Sequence, residues 1–397
     1  MSWPVPKLSA IKRPEPFPLR VWLPVSLTFA AASAALVLRS WPAGKATHDM
    51  LFWGELVGVP IIVACLVLGW KLIPLQREQL LAEEAEREHA RIKSLWSTWS
   101  RRHLVIRHVA TFLPVKESAI ELGRMGTELP VNLQRAVGFA WLKPDTDESR
   151  FMRILCLIAD RFRPALEGLS AVHVVLLLDT FDSTAVDLGT ADAAKVFTSA
   201  MPGIDVSVEA AKAADCAEWI TEQVDTIDGI ARLMVAIQVW DAGDAPGNFS
   251  EGAVGILIEP SAHAKKPVRQ GAPEAGSILR PMITGSDMLN EALAQLVAVQ
   301  LECNRLTHLW FSGCGEESAV ITSTLHQLAP DQRVDRQLDH MIGLPGPVSG
   351  WIALGTALEA ATEAAGSHLV AWKERDNETI QLCVVTGTPA HESGKEA

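Results

Sequence analysis

The chain has 397 residues, of which 48% are hydrophobic and 21% charged; that is enough apolar material for a large core and too little charge for a disordered polymer. Its net charge of −12 excludes nucleic-acid binding driven by overall charge. The charge is also unevenly placed. Residues 1–107 carry 14 Lys and Arg against 8 Asp and Glu, whereas the rest carries 21 against 39. A basic first quarter and an acidic remainder predict two modules in different surroundings.

Residues 1–20 form a short basic segment. From Val21 to Leu38 no charge occurs, a run worth about 27 Å as helix. A second run, Leu51–Trp70, is interrupted only by Glu55, which falls in its outer turn and reads as interfacial. Trp22, Trp41, Trp53 and Trp70 stand near the ends, where indole rings favour the membrane interface. The small residues Ala31 to Ala35 resemble the end of a cleaved leader. However, the apolar run continues past them and a second follows at once, so residues 21–75 are read as a transmembrane helical hairpin. Four basic residues precede it, two lie in its connector and seven fall within residues 71–102. That distribution predicts both termini and the main body on the cytoplasmic side.

Residues 76–101 read as a solvated helical linker. Gly and Pro are absent and Glu83 stands four positions before Arg87. The body then runs from Arg102 to Thr388, with a polar tail at residues 389–397. Its clearest strand is Ala171–Asp179, a continuous apolar run suited to burial on both faces. Strands are also predicted at Leu233–Val239, Ala253–Glu259, His308–Phe311, His368–Arg375 and Thr379–Val385. Helices are predicted at Phe151–Phe162, Ala191–Ala200, Val206–Val224 and Trp351–Ala365. Another follows Ser286, with a stripe of Leu289, Leu293, Leu296 and Val297. This alternation argues for an α/β layered body with a buried, mainly parallel sheet. The order is doubled: residues 102–268 and 269–388 each end in two adjacent strands, as two related halves would.

Six cysteines are scattered without metal-ligand spacing, in keeping with a reducing compartment. No metal or cofactor is expected, because the sequence has no phosphate loop, GxSxG elbow or HExxH pair. Asp179-Thr180-Phe181-Asp182 reads as a turn rather than a metal site.

Three motifs carry a family resemblance. Trp240-Asp241-Ala242-Gly243-Asp244, followed by Ser250-Glu251-Gly252-Ala253-Val254-Gly255 and an apolar run to Glu259, resembles FDADRDGF…GEGAGVLVLE of β-ketoacyl synthases. Ala262-His263-Ala264-Lys265 then follows as a similar helical turn would. Trp310-Phe311-Ser312-Gly313-Cys314-Gly315 is similar to their NAHGTG. Gly343-Leu344-Pro345-Gly346-Pro347-Val348-Ser349-Gly350 is similar to their GHTxGAAG. The resemblance implies a thiolase-like αβαβα body of two related halves, pairing through a broad central interface into a homodimer.

The departures from the family matter as much. Condensing enzymes hold the acyl chain on a Cys nucleophile and use two polar groups, usually His, at the decarboxylating carbon. The first of those positions is Ser312 here and the second is Leu344. The segment Asp205–Lys212, where the nucleophile is expected, lacks a cysteine, and Cys216 is read as lying inside a helix. The resemblance therefore implies a degenerate condensing-enzyme fold without catalytic residues. The alternative is an acyltransferase using a displaced thiol, Cys314 or Cys216, with His340 as base. Two spans joined to such a body also resemble the adaptors of type VI secretion clusters that accompany antibacterial lipases. That likeness implies a bacterial inner-membrane protein whose partners are a secreted lipase effector and a spike protein.

Overall fold

The computed structural model describes residues 3, 8–42, 50–142, 148–179, 183–226, 228–240, 247–259, 275–301, 306–328, 333–364, 366–374 and 377–388. The chain forms two compact units, Val5–Trp96 and the body, which comprises Met1–Pro4 with Ser97–Ala397. The expected turns at 180–182, 241–246 and 262–265 and the tail from Pro389 lie outside the described residues.

The first unit is a helical hairpin of α1 (Leu19–Ser40) and most of α2 (Met50–Ser100). Both helices are long and apolar enough to cross a membrane. Their leucines, valines and isoleucines are largely exposed, as lipid-facing side chains are. Pro24, Pro60 and Pro74 lie inside the helices without ending them. The Lys71 ammonium stands 5.8 Å from the centre of the Trp22 ring, so the start of α1 meets α2 where its apolar run closes. The predicted linker is the continuation of α2, with no break between span and stalk.

In the body, one strand–helix sequence occurs twice. The first half consists of β1 (His103–Phe112), a short inserted α3 (Ala119–Gly123), α4 (Arg150–Leu166), β2 (Ala171–Leu178), α5 (Ser183–Ala200), β3 (Asp205–Lys212), α6 (Cys216–Asp225), β4 (Ala231–Gln238) and β5 (Gly252–Ile258). In the second half, β6 (Gly276–Leu279) and β7 (Met282–Gly285) stand in the place of β1. They are followed by α7 (Leu289–Val299), β8 (Leu306–Ser312), α8 (Gly315–Leu328), β9 (Val334–Gln337), α9 (Leu338–Met341), α10 (Ser349–Ala361), β10 (Ser367–Lys373) and β11 (Thr379–Gly387).

The sheet order is β3-β2-β4-β5-β1 in one half and β9-β8-β10-β11-β6 in the other, with β7 also on β11. In each half three neighbours run parallel and the last strand reverses. β1 and β6 pair antiparallel and join the halves. The fold is the thiolase-like layered α/β body of two halves that the sequence predicts, but the sheet is not mainly parallel. Among the described residues four of its pairings are parallel and six antiparallel, because each half ends in a reversed strand and the halves join through antiparallel ones.

The central layer explains the burial. Every residue of α10 except Glu359 is buried, because the sheets of both halves close on it. α6 is its counterpart in the first half. On the outer face of that half, α4 and α5 cover β2 and β4 with Phe162, Phe197, Ile154 and Ile158.

One predicted element is corrected. Val206–Val224 is not one helix: Asp205–Lys212 is the edge strand β3, and α6 begins only at Cys216. Val206, Val208 and Ala210 alternate with Ser207 and Glu209, a period of two that pairs β3 in register with β2. Helical spacing sets in only after Ala213.

Two buried polar clusters hold the body together. The Glu251 side chain is fully buried, in an ion pair with Arg150 that includes a 3.0 Å contact from its Nε. It also accepts from the backbone N–H groups of Phe139 (2.6 Å) and Trp240 (3.0 Å). Elsewhere the His308 and His368 rings meet at 4.2 Å with their planes tilted by 39°, His308 bonded to the Gly123 carbonyl of α3 and His368 to the Ala357 carbonyl of α10. Burial first, and then His308, drives the His368 imidazole down to about 3.

Glu251→Ala strands the Arg150 guanidinium and two N–H groups, so a loss of about 3–5 kcal/mol is expected in denaturant unfolding of the body. His368 is neutral when folded and takes a proton when unfolded below its ordinary value of 6.5. Its contribution is therefore complete above pH 6.5 and is lost as the pH falls toward 3, by up to about 1.4 kcal/mol per pH unit. Unfolding midpoints measured across that window should fall, and His368→Phe should flatten the dependence.

Candidate functional site

The strands of both halves deliver their carboxyl ends to one cleft. Asp179 follows β2, Lys212 ends β3, Gly313 follows β8, and Lys373 and Glu374 close β10. Asn248 and Phe249, ahead of β5, and Pro345-Gly346-Pro347, ahead of α10, complete the walls. The main lobe holds about 590 Å³, and a second lobe of about 400 Å³ shares Asn248, Pro345, Gly346 and Glu374 with it. In open α/β sheets the carboxyl edge is the usual ligand position, because helix starts and loop backbones converge there.

At the first family position, the Ser312 hydroxyl donates to Asp339 Oδ1 at 3.2 Å, and the Gly313 N–H donates to Oδ2 at 2.7 Å. Gly313 has φ +69°, and a side chain there would meet the Lys373 carbonyl 2.2 Å away, so the loop admits only glycine. At the second position, Leu344 is pinned by its backbone. Its N–H donates to the Arg135 carbonyl at 3.0 Å and its carbonyl accepts from Ser250 N–H at 2.9 Å. Its side chain lines the smaller lobe and offers neither charge nor hydrogen bond.

The thiols are sealed. Cys314 is 2% exposed, and burial, reinforced by Asp339 and Glu317, pushes its thiol up to about 12. Cys216 lies in a helix, as its first residue: α6 begins there, after the 3-10 turn Ala213–Asp215 that follows β3. Topologically this is the helix-start turn on which the resemblance expects a nucleophile. Cys216 is nonetheless 1% exposed, and burial drives its thiol well above the usual range, with Cys383 and Glu374 adding to the shift. His340 is exposed on α9, and no hydrogen bond joins its ring to either thiol among the described residues.

Two residues that the sequence reading passed over shape the cleft. Gln381, 1% exposed on β11, accepts from the N–H of Ala217 (3.3 Å) and donates to Glu374 Oε1 (3.1 Å). The N–H beside Cys216 is thereby satisfied from within the protein and is not offered to a developing oxyanion. Burial, with Glu218 and Asp215 adding to it against the Gln381 hydrogen bond, pushes the Glu374 carboxyl up to about 7. Trp351 seals the same corner: its Nε1–H donates to the Ala213 carbonyl at 3.1 Å and its ring meets Trp219 edge-on. No local signal marks Gln381, because its partner lies 164 positions away.

Outside the cleft, Ser207, His173 and Glu209 form a hydrogen-bonded row across β2 and β3, at 2.7 Å and 3.0 Å. They pair across neighbouring strands of the sheet, away from the cleft. Among the described residues, no group of His, Cys, Asp and Glu is arranged to hold a metal.

No family model matches the chain, and no curated protein matches it. Solved structures are similar to the body. The oxazolomycin ketosynthase domain of Streptomyces albus is 10% identical, over 73% of this chain and 96% of its own, with a TM-score of 0.45. A bacillaene synthase ketosynthase of Bacillus subtilis is 9% identical, over 73% and 71%, with a TM-score of 0.47. The 3-oxoacyl-(acyl carrier protein) synthase III of Pseudomonas aeruginosa is 14% identical, over 72% and 99%, with a TM-score of 0.41. The duplicated strand order is what makes this body thiolase-like.

Alkylation of the folded protein with iodoacetamide at pH 8 is expected to modify the exposed Cys156 and to leave Cys216 and Cys314 unmodified until denaturant is added. Peptide mass spectrometry reads each thiol separately.

Proposed function

We propose that the protein is a membrane-anchored adaptor whose thiolase-like body binds a partner protein and performs no condensation. One observation carries this reading: the cleft is retained, yet its two family positions are filled by Ser312, tied to Asp339, and by the apolar Leu344. A decarboxylating step there would lack both donors to the developing enolate, and neither thiol near it is ionised at neutral pH.

The resemblance stated above supplies the partner: a toxic lipase effector that the adaptor delivers to a type VI secretion spike. In this reading the chain spans the bacterial inner membrane twice, with both termini and the body cytoplasmic. Among the described residues β3 stands at one edge of the sheet, and in this reading it is where a further strand, from a second copy or from the partner, pairs.

A second reading has one observation in its favour. Cys216 stands on the helix-start turn, so an acyltransferase using that thiol is the alternative.

Capture of the full-length, detergent-solubilised chain from its native cells separates the two. The adaptor predicts recovery of a lipase-like or spike protein, unchanged in Cys216→Ser, Cys314→Ala and Ser312→Ala. Recovery of an acyl carrier protein as a thioester, lost in Cys216→Ser, would instead establish the enzyme.

A further inference from the structure

Far from the cleft, at the other end of α6, lies a dense cluster of aromatic and charged side chains. Asp225, the last residue of α6, accepts from Arg280 at 2.5 Å and from Arg102 at 2.8 Å. The Arg280 guanidinium is buried and lies 4.2 Å from the centre of the Trp99 ring, and its Nε donates to the Trp99 carbonyl at 3.2 Å. Trp99 belongs to the last turn of α2. Gln300 fixes the same turn, donating to the carbonyls of Ser100 (2.7 Å) and Arg280 (2.9 Å).

One member of this cluster comes from the other end of the chain. The Trp3 ring stands edge-on to Trp99, with centroids 6.0 Å apart and planes at 81°. Its Nε1–H donates to the Pro281 carbonyl at 3.0 Å, and the residue is only 7% exposed. Chain ends stay unordered unless something ties them down, because fixing each residue costs about 1–2 kcal/mol of backbone entropy. A buried indole with its N–H satisfied is such a tie. Within the hairpin unit, Arg13 pairs with Glu86 at 2.7 Å, so the N-terminal segment also meets α2 beyond its apolar run.

We propose that Trp3 is a latch: its ring closes over Trp99, clamps the last turn of α2 to the body, and keeps the start of the chain on the body's side of the membrane. Arg280 provides the stacked base of the clamp and Pro281 its acceptor. An N-terminus held there commits the hairpin to an even number of crossings, independently of the count of basic residues. The latch itself requires no partner and no activity.

The test uses the full-length chain in native membrane vesicles that expose the body. Trp3→Ala is expected to accelerate tryptic cleavage after Arg101 and Arg102 at least tenfold. Trp3→Phe, which keeps a ring but loses the N–H, should fall between Trp3→Ala and wild type. A Trp3→Ala rate within twofold of wild type overturns the latch. A second variant guards against misfolding: Trp3→Cys combined with Pro281→Cys should be joined by a short bismaleimide cross-linker, whose spacer replaces the length of the indole, seen as a linked peptide that neither single variant gives. Absence of that link, with the body still trypsin-resistant, also overturns the proposal.

Discussion

The carboxylate of Glu251 is the contact on which the architecture of the cleft depends. A charge with no solvent access survives only if other groups replace its hydration, and here Arg150 and two backbone N–H groups do so. These groups come from α4, from the segment that precedes it and from the end of β4, so one carboxylate ties three parts of the chain. The adjacent Ser250 extends the arrangement, because its hydroxyl meets Val137 and Arg135 and its N–H meets Leu344. One wall of the cleft is thus set by an ion pair that faces away from it.

The cleft resolves its polar groups internally. Asp339 absorbs Ser312, Gln381 absorbs the N–H at the start of α6, and Lys373 absorbs Glu317 at 2.7 Å. A reacting centre needs donors left unsatisfied until charge develops. The Ser312 hydroxyl, the Ala217 N–H and the Lys373 ammonium are already engaged. Glu374 is the exception, a half-buried carboxyl whose protonation changes near neutrality.

Much of this body was legible in the sequence, and the gaps have physical causes. β2, β4 and β5 are buried on both faces along the apolar runs Val174–Leu178, Leu233–Ile237 and Ala253–Ile258, and these runs announce them. The stripe of α7 needs no tertiary knowledge either. β1 was missed because a register shift between Ile106 and His108 breaks its alternation, setting Arg107 and His108 where a regular strand would not. β3 reads as helix in sequence because its edge position leaves its apolar face only half-buried and the alternation weak. Ser312 and Leu344 were found from motif order alone and do line or adjoin the cleft. Gln381 and Trp3 were invisible, since each acts through a contact more than a hundred positions away.

The strand direction has a consequence for access. The last turn of α2 joins the body beside Arg102, Asp225 and Arg280, where β1 begins and α6 ends. The cleft lies at the opposite end of α6, whose 10 residues span about 15 Å, and at the far ends of the parallel strands. The mouth of the cleft and the cluster of Arg102, Asp225 and Arg280 thus stand at opposite ends of the body, so a ligand held in the one leaves the other uncovered.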